Sequence, residues 1–78
     1  MTRSEIASLL VQAYDLSQRE REVLLLVLRG RPTYDIAQRL CIAPYTVQEH
    51  LKAIFAKVRV RSRRELVGQV FYRHHHAG

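Results

Sequence analysis

Helix-start signals recur at short intervals along this chain and divide it into segments that can form only short elements. The clearest are two capping boxes, SQRE at 17–20 and SRRE at 62–65. In each, a Ser hydroxyl and a Glu carboxylate accept hydrogen bonds from backbone N–H groups at a helix start. Pro32 with Thr33, and then Pro44, mark two further starts, because proline suits the first turn of a helix. No segment shows the alternation typical of a strand, so the sequence predicts an all-α fold, a small helical bundle.

Apolar residues at helical spacing give each predicted helix one buried side. The predicted inner faces are Val23, Leu24, Val27 and Leu28; Ile36, Ala37 and Leu40; Val47, Leu51, Ile54 and Val58; and Leu66, Val67, Val70 and Phe71. Gly30 is placed to end the first of these helices in a left-handed conformation. A short leading helix is expected at about 4–13, where apolar residues keep the same spacing.

The length of 78 residues suits one domain with a modest core. We expect 1–15 to be a leading helix or the end of a linker, 16–73 to be the domain, and 74–78 to be a tail. Cys41 is the single cysteine, which excludes an internal disulfide and fits a reducing cytoplasm; we expect it to be a half-buried filler. No apolar run reaches the roughly 18 residues of a membrane span, so no membrane partner is expected.

The sequence gives no support for catalysis. It has no Gly-rich phosphate loop and no spaced set of metal ligands, and the chain is too short to surround a substrate with catalytic groups. We therefore expect no enzyme activity, no cofactor, no metal and no small-molecule ligand within this chain. The charge favours a binding role instead, since 13 Lys and Arg against 7 Asp and Glu give a net charge of +6. A polyanion is the favoured partner class, although a basic surface kept for solubility is the alternative.

The predicted helix at about 44–58 has an unusual outer face. A short helix, a tight turn and a longer helix with a polar outer face form a helix-turn-helix arrangement, whose second helix enters the major groove of DNA. Gln48, Glu49 and Lys52 offer an amide, a carboxylate and an ammonium, which suit adenine, cytosine and guanine respectively. Tyr45 and Thr46 lie at the helix start, where hydroxyl groups commonly meet phosphate oxygens. An ordinary solvated helix face can carry the same mixture, so periodicity alone leaves that alternative open.

Four segments, LSQREREVLLLVLRG, DIAQRL, TVQEHLKAIFAKV and VRSRREL, resemble in order and spacing the DNA-binding domain of LuxR/FixJ-type bacterial transcription regulators. The resemblance covers about 16–70. It implies a four-helix core with a recognition helix at about 44–58, and sequence-specific binding of double-stranded DNA as the output domain of a regulator. It also implies a homodimer, formed through the last helix, on an inverted repeat.

The resemblance implies roles for particular residues as well. Gln48, Glu49 and Lys52 would face the bases, while Thr46 and Lys57 would hold the DNA backbone. The predicted dimer contacts are the apolar residues of the last helix, Leu66, Val67, Val70 and Phe71. Four further phosphate candidates flank helix starts or connections near the expected DNA side: Arg31, Thr33, Arg61 and Arg63.

Four positions that depart from the family pattern bear on the site. Ala43 stands where a Ser-like cap is usual, and Arg59 replaces a usual Gly, so a left-handed turn there would cost about 1 kcal/mol. Tyr45 and Gln48 stand where many members carry Lys, which leaves the target sequence open.

Two other functions also fit the pattern. A region-4-like domain of a sigma factor would read a promoter element as a single copy beside RNA polymerase, which is also a candidate partner of a LuxR-type regulator. A helical protein-interaction module would instead use the apolar faces at 6–13 and 66–71. The segment KVRVRSRREL, leading into a further amphipathic helix, fits the LuxR-type pattern better than the sigma pattern.

Overall fold

The computed structural model describes residues 14–70, and its helices begin where the sequence signals predict. We number them α1, Gln18–Leu28; α2, Thr33–Leu40; α3, Pro44–Val58; and α4, Arg63–Val70. These residues contain no strand, which confirms the predicted all-α fold. No helix in this part of the chain has the length and apolar character required to cross a bilayer. The expected leading helix at 4–13, Phe71 and the tail lie outside the described residues.

Serine side chains cap the starts of α1 and α4. The Ser17 hydroxyl accepts from the Glu20 N–H at 3.1 Å, and the Glu20 carboxylate accepts from the Ser17 N–H at 2.9 Å, so the first capping box is complete. The Ser62 hydroxyl likewise accepts from the Glu65 N–H at 3.1 Å. The Glu65 carboxylate, however, accepts from the N–H of Arg61 at 2.6 Å. The second capping box is therefore incomplete, because the Glu65 carboxylate bonds the N–H one residue before the cap and not the N–H of Ser62 itself.

Left-handed residues end α1, α2 and α3 in the same way. Gly30, Cys41 and Arg59 have φ angles of 81°, 57° and 65°. After each one, the next N–H bonds to the carbonyl five residues back: Arg31 to Leu26, Ile42 to Ala37, and Val60 to Phe55, at 2.9–3.1 Å. Gly30 matches the sequence prediction, and Arg59 adopts the left-handed conformation of the Gly that is usual there, although the sequence had left open whether the turn differs. Cys41 is exposed rather than half-buried, because the residue that ends the helix projects from the turn.

Helix α3 forms the centre of the bundle, since it packs against α1, α2 and α4. The buried apolar residues are Leu16, Val23, Leu24, Leu26, Val27, Leu28, Ile36, Ala37, Val47, Leu51, Ile54, Val58, Leu66 and Val70. Leu40 and Val67, which were predicted to be inner residues, are only partly buried. Because α3 buries one stripe on its neighbours, the opposite side of this helix faces solvent.

Candidate nucleic-acid interface

The solvent side of α3 carries the predicted reading residues. Tyr45, Gln48, Glu49 and Lys52 are all exposed, and Tyr45 retains 72% of its accessible surface. The buried stripe of α3 therefore directs the four side chains outward together.

These side chains line a concavity of about 350 Å³, which we call the α3 groove. Its lining comes from three helices: Thr33 of α2, Arg63 of α4, and Tyr45, Gln48, Glu49, Leu51, Lys52 and Phe55 of α3. The structure thus brings all three predicted base contacts together with three of the predicted phosphate contacts. Leu51 and Phe55 were missed as lining residues. Phe55 follows Lys52 by three positions, and that helical spacing is the signal that could have placed it at the edge of the outer face.

Arg63 is fixed at the rim of the α3 groove. Its guanidinium donates a hydrogen bond to the backbone carbonyl of Arg31, which ties the start of α4 to the connection between α1 and α2. Partial burial lowers the pKa of Arg63 from its ordinary value, yet an arginine stays charged at neutral pH. The groove therefore has a positioned positive charge at one side.

The other predicted phosphate contacts lie outside the α3 groove. Thr46 is half-buried in the first turn of α3. Arg31 is exposed and lies 3.8 Å from the Asp35 carboxylate. Arg61 is exposed, and its backbone N–H donates to Glu65.

Lys57 lies apart from the predicted base contacts and is engaged within the fold. Its ammonium donates to the Glu20 carboxylate at 2.6 Å and to the Asp15 carbonyl at 3.4 Å. Burial alone would raise the pKa of Glu20, but hydrogen bonds from Lys57 and the Ser17 N–H, together with the Lys57 charge, outweigh burial and lower it. Lys57 therefore joins the end of α3 to the start of α1.

The residues predicted to contact a second copy divide into two groups. Leu66 and Val70 have no accessible surface, because they pack inside the core of this chain, so their side chains cannot contact a partner while the fold is intact. Val67 is half-buried and lies on the outer side of α4 beside the exposed Gly68. Both line an apolar hollow with Val27 and Leu28 of α1.

The starts of α2 and α3 lack side-chain caps, in contrast to α1 and α4. Pro32 and Ala43 occupy the cap positions, and neither provides a hydrogen bond to the first turn. Backbone N–H groups at an uncapped helix start can donate to phosphate oxygens, and the helix dipole favours an anion there. The phosphate contacts predicted at Thr33, Tyr45 and Thr46 lie at these two helix starts.

Comparisons with known proteins identify one family. A family model described as "Bacterial regulatory proteins, luxR family" matches residues 14–70. The chain is 48% identical over 52 residues to the transcriptional activator protein ExaE of Pseudomonas putida, covering 67% of this chain and 24% of that protein. It is 41% identical over 56 residues to the transcriptional regulatory protein DesR of Bacillus subtilis, covering 72% and 28%.

A third relative is the transcriptional regulatory protein FixJ of Rhizobium meliloti, 44% identical over 52 residues, covering 67% of this chain and 26% of that protein. The chain thus spans about a quarter of the length of these three relatives. No solved structure matches it significantly.

Proposed function

The chain belongs to the luxR family of bacterial regulatory proteins, and we propose that it reads a specific sequence of double-stranded DNA with α3 in the major groove. Membership in this family of DNA-binding transcription regulators supports DNA as the partner and an output role without enzyme activity. It favours the LuxR-type interpretation over the sigma-factor alternative.

The α3 groove is the observation that carries the proposal. Gln48, Glu49 and Lys52 differ in their donors and acceptors, and each base pair presents a distinct pattern in the major groove. Residues that merely kept a surface soluble would not need to converge with Thr33 and Arg63 from two other helices. We assign base contacts to the three α3 residues and phosphate contacts to the residues at the rim.

Phosphate contacts hold such a domain in register without reading sequence. Thr33 and Arg63 are the strongest candidates, because both border the base-reading residues. Thr46, Arg31 and Arg61 flank helix starts and remain in the proposal. Lys57 is the weakest candidate, since its ammonium is already bonded to Glu20 and Asp15 and a phosphate would have to share it.

A pair of chains on an inverted repeat is the proposed assembly. Half-sites about 34–36 Å apart would present the same face of DNA to both α3 helices. The exposed side of α4, at Val67 and Gly68, is proposed to contact the second copy in place of the buried Leu66 and Val70.

Selection of bound duplexes from a random pool tests the proposal directly. The purified 78-residue chain is expected to enrich an inverted repeat with a fixed spacing, and its affinity should fall steeply with salt as bound counterions are released. An asymmetric element bound by one chain would contradict the dimer. Failure to enrich any sequence would contradict base reading and favour a protein-interaction module.

The variant Lys52→Ala then tests one reading residue. It should reduce affinity for the selected site by roughly tenfold to a hundredfold and relax the preference at one base pair, because a good side-chain contact to a base contributes about 1–3 kcal/mol. Arg21→Ala is the matched control, since Arg21 is exposed on α1 and does not line the groove. It removes the same charge and should leave base preference unchanged. Equal effects of the two variants on every duplex would contradict the assignment.

A further inference from the structure

Tyr45 was predicted to contact phosphate and Glu49 to contact a base, yet the two residues are neighbours on α3. They lie one helical turn apart on the outer side of α3, and both line the α3 groove. Residues four positions apart on a helix are neighbours, so a tyrosine can reach a carboxylate at this spacing. The Tyr45 hydroxyl can therefore donate to the Glu49 carboxylate, and hydrogen bonding to Glu49 together with its charge raises the pKa of Tyr45. The hydroxyl therefore keeps its proton throughout the neutral range.

Glu49 has no cationic partner among residues 14–70. The ion pairs in this part of the chain join Arg19 to Glu22, Arg31 and Arg39 to Asp35, and Lys57 to Glu20. Lys52, three positions beyond Glu49 on the same helix, is likewise in no ion pair there. Of the groups that line the groove, the Tyr45 hydroxyl is thus well placed to orient the carboxylate, and the ammonium of Lys52 stays available for a base.

A carboxylate at a DNA-reading surface has a restricted use. It can only accept hydrogen bonds, and nearby phosphates repel it. In the major groove, guanine presents two acceptors and thymine presents an acceptor and a methyl group, whereas cytosine and adenine each present an amino donor. Adenine places an acceptor beside that donor, so cytosine is the better match. An unpaired carboxylate facing guanine or thymine would oppose binding, which gives discrimination by repulsion.

We infer that Tyr45 is a positioning residue for sequence reading: its hydroxyl holds one oxygen of Glu49, so that the other accepts from the amino group of cytosine. This inference rests on the proposed function and names a base at that same site. A glutamate without the tyrosine would lose more conformational freedom on binding and could turn away from the phosphates. The role differs from a phosphate contact by Tyr45, which would strengthen binding to every sequence alike.

The test measures the affinity of the 78-residue chain for the selected duplex and for a set of variant duplexes. In that set, each position of the site carries each of the four base pairs in turn. Glu49→Gln first identifies the position that Glu49 reads, where the wild type is expected to prefer cytosine by about tenfold or more. Tyr45→Phe keeps the ring and removes the hydroxyl. It should reduce that preference by about threefold or more, with preferences elsewhere unchanged. Tyr34→Phe is the matched control, because Tyr34 is exposed in the first turn of α2 and shows no hydrogen bond to Glu49.

The outcomes separate the inference from the function on which it rests. Loss of preference at the Glu49 position alone, in Tyr45→Phe and not in Tyr34→Phe, supports the positioning role. Uniform weakening on all duplexes would overturn it in favour of a phosphate contact, and unchanged preference would overturn it outright. A wild-type chain that enriches no sequence would overturn the proposed function, and with it this inference.

Discussion

At the scale of single residues, Lys57 was predicted to hold the DNA backbone, and the structure shows that it also bonds within the fold. Its position near the end of α3 resembles that of a lysine that contacts the DNA backbone. No local sequence signal predicts that Glu20, 37 residues away, is its partner. The capping box predicted that the Glu20 carboxylate would bond the Ser17 N–H. The second bond, to Lys57, depends on how α1 and α3 pack, and so it emerged only from the structure.

Replacing Glu20 should change how stability depends on pH. The pKa of Glu20 is lowered below its ordinary value of 4.5 in the folded state, so its contribution is fully present above that value and is lost as pH falls through the folded pKa. Glu20→Gln should therefore cost about 1–2 kcal/mol at pH 7, a modest figure because the Lys57 side chain is 39% exposed and water screens the pair. Between about pH 5 and pH 3, the variant should lose stability less steeply than the wild type. Urea unfolding followed by circular dichroism measures both effects.

Glu22 provides the control for this prediction. Its carboxylate lies 3.3 Å from Arg19 in an exposed pair within one turn of α1. Glu22→Gln should change the free energy of unfolding by no more than about 0.5 kcal/mol and leave the pH dependence parallel to that of the wild type. If the free energy of unfolding of Glu20→Gln also changed with pH in parallel with that of the wild type, the interaction with Lys57 would not stabilise the fold as described.

At the scale of elements, helix starts were more predictable than helix ends. Serine boxes and prolines act through local geometry, so Ser17, Ser62 and Pro44 could be placed from the sequence alone. Ends are clear when glycine is present, as at Gly30. Cys41 gave no signal, because its left-handed conformation is imposed by the way α2 turns into α3. The signal at Arg59 came only from comparison with a family pattern that has glycine there.

Arg59→Gly should stabilise the domain relative to Arg59→Ala by about 1 kcal/mol. Both variants remove the side chain, but only glycine adopts a φ of 65° without a steric penalty from Cβ. In a domain of this size, that difference corresponds to a rise in the midpoint of thermal unfolding of roughly 4–8 °C. Thermal unfolding followed by circular dichroism compares the two directly. Equal midpoints would show that the left-handed turn is not strained.

At the scale of the whole molecule, much of the proposed interface followed from the sequence, whereas the dimer surface did not. Helical spacing placed Gln48, Glu49 and Lys52 on one face because α3 is long and its buried stripe is regular. For the last helix, the apolar pattern could not distinguish residues that fill the core from residues that face a partner. Leu66 and Val70 fill the core, and Val67 lies at the boundary. That distinction depends on how deeply α4 sits against α1 and α3, which is a property of the assembled bundle.

Gly68 offers a test of pairing that leaves the single chain intact. A Cβ atom added at Gly68 would meet no other atom within 4 Å, and an exposed helical glycine costs about 0.5–1 kcal/mol of stability relative to a better helix former. Gly68→Gln should therefore fold at least as stably as the wild type. If the outer side of α4 contacts a second copy, the added side chain should obstruct that contact and abolish cooperative binding of two chains to the inverted repeat, while binding to an isolated half-site persists. The stoichiometry and cooperativity of binding to full-site and half-site duplexes distinguish these cases, and undiminished cooperativity would move the dimer contact to another surface.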